Sequence, residues 1–399
     1  MVKWQINLWV LCLSVVFTSA SYTMLIPFLP VYLLEIGVGE ADVALWSGAI
    51  FSISFFIGAI MAPIWGKIAD KSGKRLMLLR AGFGLAIVYL LGGLVTSPEQ
   101  LFAVRLLQGF ANGFVPAALA IVSSSAPKEK LGMSLGVMQT GQIIGAVVGP
   151  LLGGTLAHVF GMRISFFIAG GFLLLVTALV MVLVKEPIIK RETQSAQSVY
   201  ADLKVALSKP ILAKMLGLTV IVQLAVLILQ PVVTLYVADI QDGAGDAVLS
   251  AGLIFSLGGL AGAFSAPFWG RFGQRKGYLT AMAIAFCGAG FFNLLQYFPR
   301  DVWLFGVLQF CFGLFIVGVH PSISAVLVNG TEPNFRGRIF GIATTAHQLG
   351  SMLGPILGSL ITASLGMQYV FLFTGILLLI IGLAVWREQR HMKLKKVLT

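Results

Sequence analysis

Residues 141–154 read GQIIGAVVGPLLGG, an uncharged stretch with five glycines and one proline. An interior glycine costs a soluble helix roughly 0.5–1 kcal/mol relative to alanine, and an interior proline costs about 3 kcal/mol or more. Gly141, Gly145, Gly149 and Gly153 are spaced four residues apart, so a helix would place them in one stripe. In lipid, such small residues allow two helix backbones to approach closely. The stretch therefore predicts a membrane helix with a tightly packed neighbour.

The composition of the whole chain is that of a membrane protein. Of its 399 residues, 58% are hydrophobic and 11% are charged, whereas soluble domains carry about 25% charged residues. Apolar segments long enough to cross a bilayer, about 20 residues each, recur along the chain. They predict an all-α membrane protein with 12 transmembrane helices, near residues 7–29, 42–64, 76–95, 100–122, 133–157, 164–184, 211–238, 248–268, 278–298, 302–327, 337–363 and 367–386.

The chain contains two copies of one six-helix unit, which makes the expected fold pseudo-symmetric. APIWG at 62–66 recurs as APFWG at 266–270, and GPLLGG at 149–154 recurs as GPILGS at 354–359. An even number of helices per copy gives parallel repeats, an arrangement typical of secondary transporters whose site lies between the halves. The expected organisation is an N-terminal half at 1–184, a cytoplasmic linker at 185–210, a C-terminal half at 211–386 and a cytoplasmic tail at 387–399.

The net charge of +12 has a topological explanation. All but three of the 27 Lys and Arg residues lie near the N-terminus, in loops on one side of the predicted membrane, or in the tail. The exceptions are Arg105, Arg163 and Arg300. This is the positive-inside pattern, and it places both termini in the cytoplasm. We therefore expect a multi-pass protein of the cytoplasmic membrane, in contact with the lipid bilayer and not with nucleic acid.

The sequence offers no pattern of a catalytic, cofactor or metal site. GMSLG at 132–136 fits the G-x-S-x-G form, but it opens a predicted membrane helix and lacks the strand and oxyanion loop of a hydrolase. No P-loop of the form G-x4-G-K-[ST] occurs. Cys12, Cys287 and Cys311 lie in apolar spans without metal-ligand spacing. We expect no enzyme, no cofactor and no metal.

The loop GKIADKSGKR, between predicted helices 2 and 3, carries the first family resemblance. A positive-inside loop would explain its bases, but not the spacing G-x3-D-x2-G of Gly66, Asp70 and Gly73. Here the chain resembles the major facilitator superfamily, whose signature loop has the form G-x3-D-R/K-x-G-R/K-R/K. The second copy has Gln274 in place of the acid, so a latch would be one-sided. The resemblance implies a conformational latch formed by Gly66, Asp70, Gly73, Lys74 and Arg75.

Arg105, in RLLQGFANG, is the only charge predicted inside a helix away from its ends. An unpaired intramembrane Arg costs several kcal/mol, so it should face a cavity, unless it snorkels to the outer surface. It matches the superfamily's helix-4 motif R-x2-Q-G, which is associated with proton coupling. No acid is predicted at mid-membrane. The candidates to carry the proton are therefore Glu35 and Asp42 near the outer mouth, or His320 and His347. Each of the two histidines is equally explained as a packing residue.

The opening stretch resembles the helix-5 motif of the superfamily's drug:proton antiporters, and generic close packing is the alternative. The resemblance spans nearly the whole chain. It is most specific for MdtG-like multidrug exporters, notably in PFLPVYL (27–33), WSGAIFSISF (46–55), APIWGKIADKSGKRLMLLRAG (62–82) and GFVP (113–116). It implies a monomer that exports amphipathic small molecules in exchange for protons. The alternatives are a transporter of one specific metabolite with the same fold, or a lipid flippase. The antiporter motif would comprise Gly141, Gly145, Gly149, Pro150, Gly153 and Gly154.

Polar and adaptable apolar side chains within the predicted helices are candidates for a substrate cavity. The alternative for each polar one is a hydrogen bond to a neighbouring helix. The candidates are Asn112, Phe114, Met138, Gln139, Gln142, Gln223, Gln230, Tyr236, Asn293 and Gln309.

Overall fold

The structure is a computed structural model that describes residues 3–186, 199–241, 247–332 and 335–398. Within these ranges the regular structure is entirely helical, with 16 α-helices and one short 3-10 helix. Twelve spans are long and apolar enough to cross a membrane, which confirms the predicted all-α fold with 12 transmembrane segments. The chain divides into two compact units, unit 1 (Met1–Thr193 and Gly243–Ser256) and unit 2 (Gln194–Asp242 and Leu257–Thr399).

The helices begin and end close to the predicted bounds, but several continue beyond the apolar core as polar helix. The first seven are α1 (Lys3–Glu35), α2 (Glu40–Ser72), α3 (Lys74–Gly92), α4 (Pro98–Ala111), α5 (Phe114–Ser125), α6 (Leu131–Phe160) and α7 (Met162–Leu183). The others are α8 (Val199–Ser208), α9 (Pro210–Leu227), α10 (Gln230–Ile240), α11 (Ala247–Lys276), α12 (Tyr278–Leu295), α13 (Val302–Ile316), α14 (Val319–Asn329), α15 (Arg336–Leu365) and α16 (Gln368–Leu398).

The predicted linker and tail both contain helix. Helix α8 lies in the polar segment between the two predicted halves, and residues 187–198 of that segment lie outside the described ranges. Helix α16 continues through the predicted tail to Leu398. Outside the lipid a helix can continue with polar side chains, because hydropathy marks the end of the apolar span and not the end of the helix.

Three spans are interrupted, a feature that the apolar pattern did not predict. The spans Pro98–Ser125, Pro210–Ile240 and Val302–Asn329 each consist of two helices. The first break contains Gly113 in the left-handed region at φ +119°. Such breaks leave backbone groups outside the helical ladder, and membrane proteins tolerate them where protein groups or water satisfy those groups.

Four helices are each followed directly by a glycine with positive φ. Gly73 (φ +98°) is the single residue between α2 and α3, and Gly277 (φ +95°) stands in the same place between α11 and α12. Gly161 follows α6 and Gly366 follows α15 in the same way, with φ of +82° and +110°. In each case the glycine N–H still bonds the carbonyl four residues earlier. The sequence repeat is therefore reproduced in the backbone conformation of the hairpins.

The glycine stripe of α6 lies directly against α1. A Cβ atom added at Gly141 would lie 2.9 Å from Cys12 Sγ, and one at Gly145 would lie 2.7 Å from the Cβ of Ser19. At Gly153 it would lie 2.8 Å from the Cα of Met24. Separations below 3 Å require atoms to move, so these positions tolerate no side chain. Pro150 lies inside α6 without ending it.

The second copy repeats this contact between α15 and α9. A Cβ atom at Gly350 would lie 2.8 Å from the Cβ of Gln223, and one at Gly354 would lie 2.8 Å from the carbonyl oxygen of Leu224. Both glycines lie 205 residues after their counterparts, Gly145 and Gly149. The close helix pair is thus a property of the repeated unit.

We expect Gly149→Leu to destabilise the protein more than Val148→Leu. A Cβ atom at Gly149 would lie 2.9 Å from the Cα of Ala20, whereas Val148 is 38% exposed. Overpacking of this kind costs roughly 1–3 kcal/mol. Thermal unfolding of the two purified variants in detergent measures the difference. Equal midpoints would show that the stripe is not a required interface.

Candidate functional site

The break between α4 and α5 is held by two side chains from neighbouring helices. The Arg80 guanidinium donates to the carbonyl oxygens of Phe110 (2.9 Å) and Asn112 (2.6 Å). The indole Nε1 of Trp65 also donates to the Phe110 oxygen, at 2.9 Å. Arg80 stacks over the Trp65 ring, 3.8 Å from its centroid. Carbonyls at a helix end need such partners, and here a cation–π pair supplies them.

The second copy keeps half of this arrangement. Trp269 Nε1 donates to the carbonyl oxygen of Leu314 at 2.7 Å, just before the break between α13 and α14. These two residues lie 204 positions after Trp65 and Phe110. The position equivalent to Arg80 is Ile284, so the second break lacks the charged partner. Both breaks therefore recur in the two copies of the repeat, but the arginine partner occurs only at the first break.

Arg105 is buried in unit 1, with 4% of its surface exposed, so it does not snorkel to the surface. Its Nη1 donates to Gln108 Oε1 at 2.6 Å, and its guanidinium lies 5.9 Å from the centroid of the Phe51 ring. Its Nε and Nη2 atoms have no hydrogen-bond partner in the described part of the chain. A buried cation with free donors favours an anionic or polar partner.

The two carboxylates predicted near the outer mouth lie at helix ends. Glu35 is the last residue of α1 and is exposed, and it interacts electrostatically with Arg163. Asp42 lies in the first turn of α2 and is also exposed. An acid in a first turn stabilises its own helix through the helix dipole. The two predicted histidines, His320 and His347, face each other with ring centroids 6.4 Å apart.

The predicted latch loop is almost entirely helical. Helix α2 continues to Ser72, so Gly73 alone connects it to α3. Lys74 Nζ donates to the Ala120 oxygen at 3.2 Å, and an Arg75 guanidinium nitrogen donates to the oxygen of Met181. Gly66 faces open space, and the side chain of Asp70 lies outside the part that the structure describes.

Sequence reasoning missed Glu186, which caps α3. Its carboxylate accepts from the backbone N–H groups of Lys74 and Arg75, both at 2.9 Å. A Cβ atom at Gly73 would lie 3.0 Å from Glu186 Oε2, and the positive φ of Gly73 is one that other residues rarely adopt. An acceptor at a helix N-terminus satisfies free N–H groups and complements the dipole. The available signal was an acid placed directly after an apolar span, in KEP.

The candidate cavity residues fall into three groups. Asn112 and Gln230 lie at helix breaks, where the helical hydrogen-bond ladder is interrupted. Gln139 is exposed and Gln142 is half-buried on α6. The remaining candidates are buried, and they are Phe114, Met138, Gln223, Tyr236, Asn293 and Gln309.

Some of the buried candidates have partners on neighbouring elements. The Tyr236 hydroxyl donates to the Pro299 oxygen at 2.8 Å. Asn293 Nδ2 donates to the hydroxyl of Thr374 on α16. Gln309 Oε1 is buried without a described partner. Asn293 thus has the alternative role, an interhelical hydrogen bond, whereas Tyr236 bonds the connection between α12 and α13.

The last glycine of the antiporter motif faces a different neighbour from the other four. A Cβ atom at Gly154 would lie 2.9 Å from the Val248 oxygen in the first turn of α11, within unit 1. Gly252 of the same helix is equally close to α6, since its Cβ would lie 2.5 Å from the Pro150 oxygen. The motif therefore packs α6 against two helices.

The sequence and the fold can be compared with those of known proteins. A family model described as Major Facilitator Superfamily matches residues 11–295 and 240–398. The multidrug resistance protein MdtG of Serratia proteamaculans is 34% identical over 390 residues, covering 97% of this chain and 94% of its own. MdtG of Escherichia fergusonii is 33% identical over 401 residues, covering 100% and 98%.

Solved structures of transporters share the fold at low sequence identity. The nucleoside transporter NupG superposes with a TM-score of 0.78 at 16% identity, covering 97% of this chain and 99% of its own. A bacterial homologue of the human lysosomal transporter Spinster gives 0.80 at 15% identity, covering 97% of each chain. The matched model, the near-full-length relatives and the 12-span fold lead to one conclusion: the chain belongs to the major facilitator superfamily.

Proposed function

We propose that the protein exports amphipathic drugs or related small molecules across the cytoplasmic membrane in exchange for protons. Transport proceeds by alternating access between the halves 1–184 and 211–386. The observation that carries this proposal is the 33–34% identity, over nearly the full length, to relatives named multidrug resistance proteins. The glycine motif of α6 supports export, because it resembles the helix-5 motif of the superfamily's antiporters.

The structure supports a binding site at the interrupted spans. Secondary transporters place their sites near the membrane midplane, where discontinuous helices expose backbone polar groups. Three spans here are discontinuous. In unit 1, Asn112 provides an amide group at one such break. In unit 2, taken by itself, Gln230 provides an amide group at another break, and Gln309 adds a buried carbonyl oxygen without a described partner. Neutral polar groups in an apolar wall suit cargoes of varied chemistry.

The charge distribution supports the proposed topology. Lysines and arginines concentrate near the N-terminus, in the loops that follow the even-numbered predicted spans and in the C-terminal segment, and this pattern supports a cytoplasmic location for both termini. One chain supplies both halves of the repeat, so a monomer is sufficient for alternating access.

A proton gradient supplies enough energy for concentrative export. One proton moving inward gains about 2.3 kcal/mol per 100 mV and roughly 1.4 kcal/mol per pH unit. At about 100 mV and one pH unit the total is ~3.7 kcal/mol, which sustains a gradient of several hundred-fold for a neutral cargo.

Uptake of a dye panel into inverted vesicles tests the proposed function. We expect vesicles containing the protein to accumulate at least one amphipathic dye when their interior is acidic, since protons then leave as dye enters. Vesicles without the protein are the control. If collapsing the proton gradient leaves accumulation unchanged, the antiporter proposal is wrong.

Arg105→Ala should abolish concentrative accumulation. The guanidinium is a buried charge with free donors, and the superfamily's helix-4 motif is associated with proton coupling. The matched control is Arg271→Ala, because Arg271 is exposed on α11. Accumulation under a pH gradient is measured for both variants in vesicles with equal amounts of protein. Arg105→Ala vesicles that accumulate dye as wild type does would contradict this route.

Asp70→Asn and Glu186→Ala should both impair transport in a protein that still inserts. Asp70 is the only acid of the latch loop, and loss of Glu186 removes the acceptor for two N–H groups of α3. Loss of such a cap costs about 0.5–2 kcal/mol, so Glu186→Ala should also lower the unfolding midpoint. Glu129→Gln, at an exposed position, is the control. Wild-type efflux in well-expressed Asp70→Asn protein would refute the latch.

A further inference from the structure

Two histidines on neighbouring helices of unit 2 form a pair at one level of the membrane. His320 is the second residue of α14, directly after the break in the span Val302–Asn329, and His347 lies in the next span, Arg338–Leu365. Their ring centroids are 6.4 Å apart, and the ring planes are inclined by 44°. Each residue lies four to five positions from the midpoint of its span, about 7 Å along the helix at 1.5 Å per residue.

The two residues lie on the same side of the midpoint. His320 is in the second half of its span and His347 is in the first half of the following one. Since consecutive spans cross the membrane in opposite directions, both imidazoles are displaced toward the side that the charge pattern assigns to the cytoplasm. We refer to His320 and His347 as the histidine pair.

The charged groups around the histidine pair are distant from its level. Helices α14 and α15 pack against each other and against α8, α9, α10, α12 and α16. The charged side chains described on these elements lie within five residues of the end of a helix or of its span: Asp202, Lys204, Lys214, Asp239, Arg338, Arg387, Glu388 and Arg390. The neutral titratable side chains described on them are Tyr236, Tyr278, Cys287 and Tyr369.

Four of those charged groups already have partners of opposite charge. Arg338 donates to Asp202 at 2.7 Å, and Lys214 forms an ion pair with Glu388. In the described part of unit 2, no carboxylate lies at the level of the histidine pair to stabilise two positive charges. No carboxylate there compensates the charge of a protonated ring, and the neutral Gln348 side chain hydrogen-bonds His347.

Two facing imidazoles favour the uptake of one proton. A neutral imidazole has one donor and one acceptor nitrogen, and a charged one has two donors. A protonated ring can donate to the acceptor nitrogen of the other, through one bridging water at this separation. Two protonated rings would repel each other in a medium of low dielectric.

We propose that the histidine pair is the proton-binding site of the exchange and that it holds one proton between its two rings. This inference rests on the proposed function of proton-coupled export, and it names the residues that carry the proton. His320 lies directly after the break in its span. A change of charge there acts on a span that already consists of two helices. Protonation thereby favours one conformation of the transporter, and cargo binding favours the other.

A double variant tests the site. His320→Phe combined with His347→Phe keeps two aromatic rings and removes all four nitrogens, and His158→Phe, at an exposed position on α6, is the control. The protein is reconstituted in liposomes with a dye that wild type accumulates. We expect the double variant to lose accumulation driven by a pH gradient while dye–dye counterflow, which needs no proton, continues. The control should retain both activities.

The single variants test the pairing. Each of His320→Phe and His347→Phe removes the acceptor of the other ring, so half-maximal accumulation should require a more acidic lumen in both. If one variant accumulates dye as wild type does and the other loses coupling to the pH gradient, a single histidine is the site and the pair is refuted. The single variants also decide the question if the double variant loses counterflow because it fails to fold.

The outcomes separate this inference from the proposed function. A double variant that keeps counterflow and still follows the pH gradient overturns the histidine pair and leaves proton-driven export intact. A wild-type protein that transports dye but ignores the gradient overturns proton coupling, and the histidine pair with it.

Discussion

The structure depends on one constraint: backbone N–H and C=O groups in lipid have no water to bond, so the protein must supply their partners. Continuous helices meet most of this demand internally, as in the nine uninterrupted spans found among the described residues. The three interrupted spans do need partners. At the first break Arg80 and Trp65 provide them, and at the equivalent break Trp269 provides one. Side chains with no evident role in the sequence thus satisfy the backbone groups at the helix breaks. Transporters build their binding sites on such irregular backbone.

The two copies of the repeat share their packing and differ in their charges. The glycine stripes of α6 and α15 meet α1 and α9 in the same way, and the tryptophan bonds recur at the same offset. Arg80, Arg105 and Glu186 have no counterparts of the same type, since Ile284, Gln309 and His391 occupy the equivalent positions. The histidine pair belongs only to the second copy. Close packing is therefore common to both units, whereas the ionisable groups give each unit a separate role.

Much of the fold could be predicted because long apolar spans and exact repeats are strong signals. The stripe of Gly141, Gly145, Gly149 and Gly153 correctly indicated a close helix neighbour, although not which helix it would be. The breaks at Asn112 and Val317 were missed because the apolar pattern runs through them without change, and glycine is common in membrane helices. The cap by Glu186 was missed because it joins residues more than a hundred positions apart. The candidate site was hardest to predict, because hydropathy does not reveal which way a side chain on a lipid-embedded helix faces: Asn293 proved to bond α16, whereas Asn112 lies at a break.

The glycine joints also determine where the chain can change in length. Gly73, Gly161 and Gly277 each form the whole connection between two long helices, with a backbone conformation that other residues rarely adopt. A connection of one residue cannot absorb an insertion by changing its own conformation. An inserted residue would therefore rotate the following helix by about 100° and turn its packed face toward lipid. We therefore expect these turns to tolerate no insertion, in natural relatives or in engineered variants. Tags and fused domains belong in the polar segment between the two predicted halves, where the chain carries its longest run of charged and polar residues.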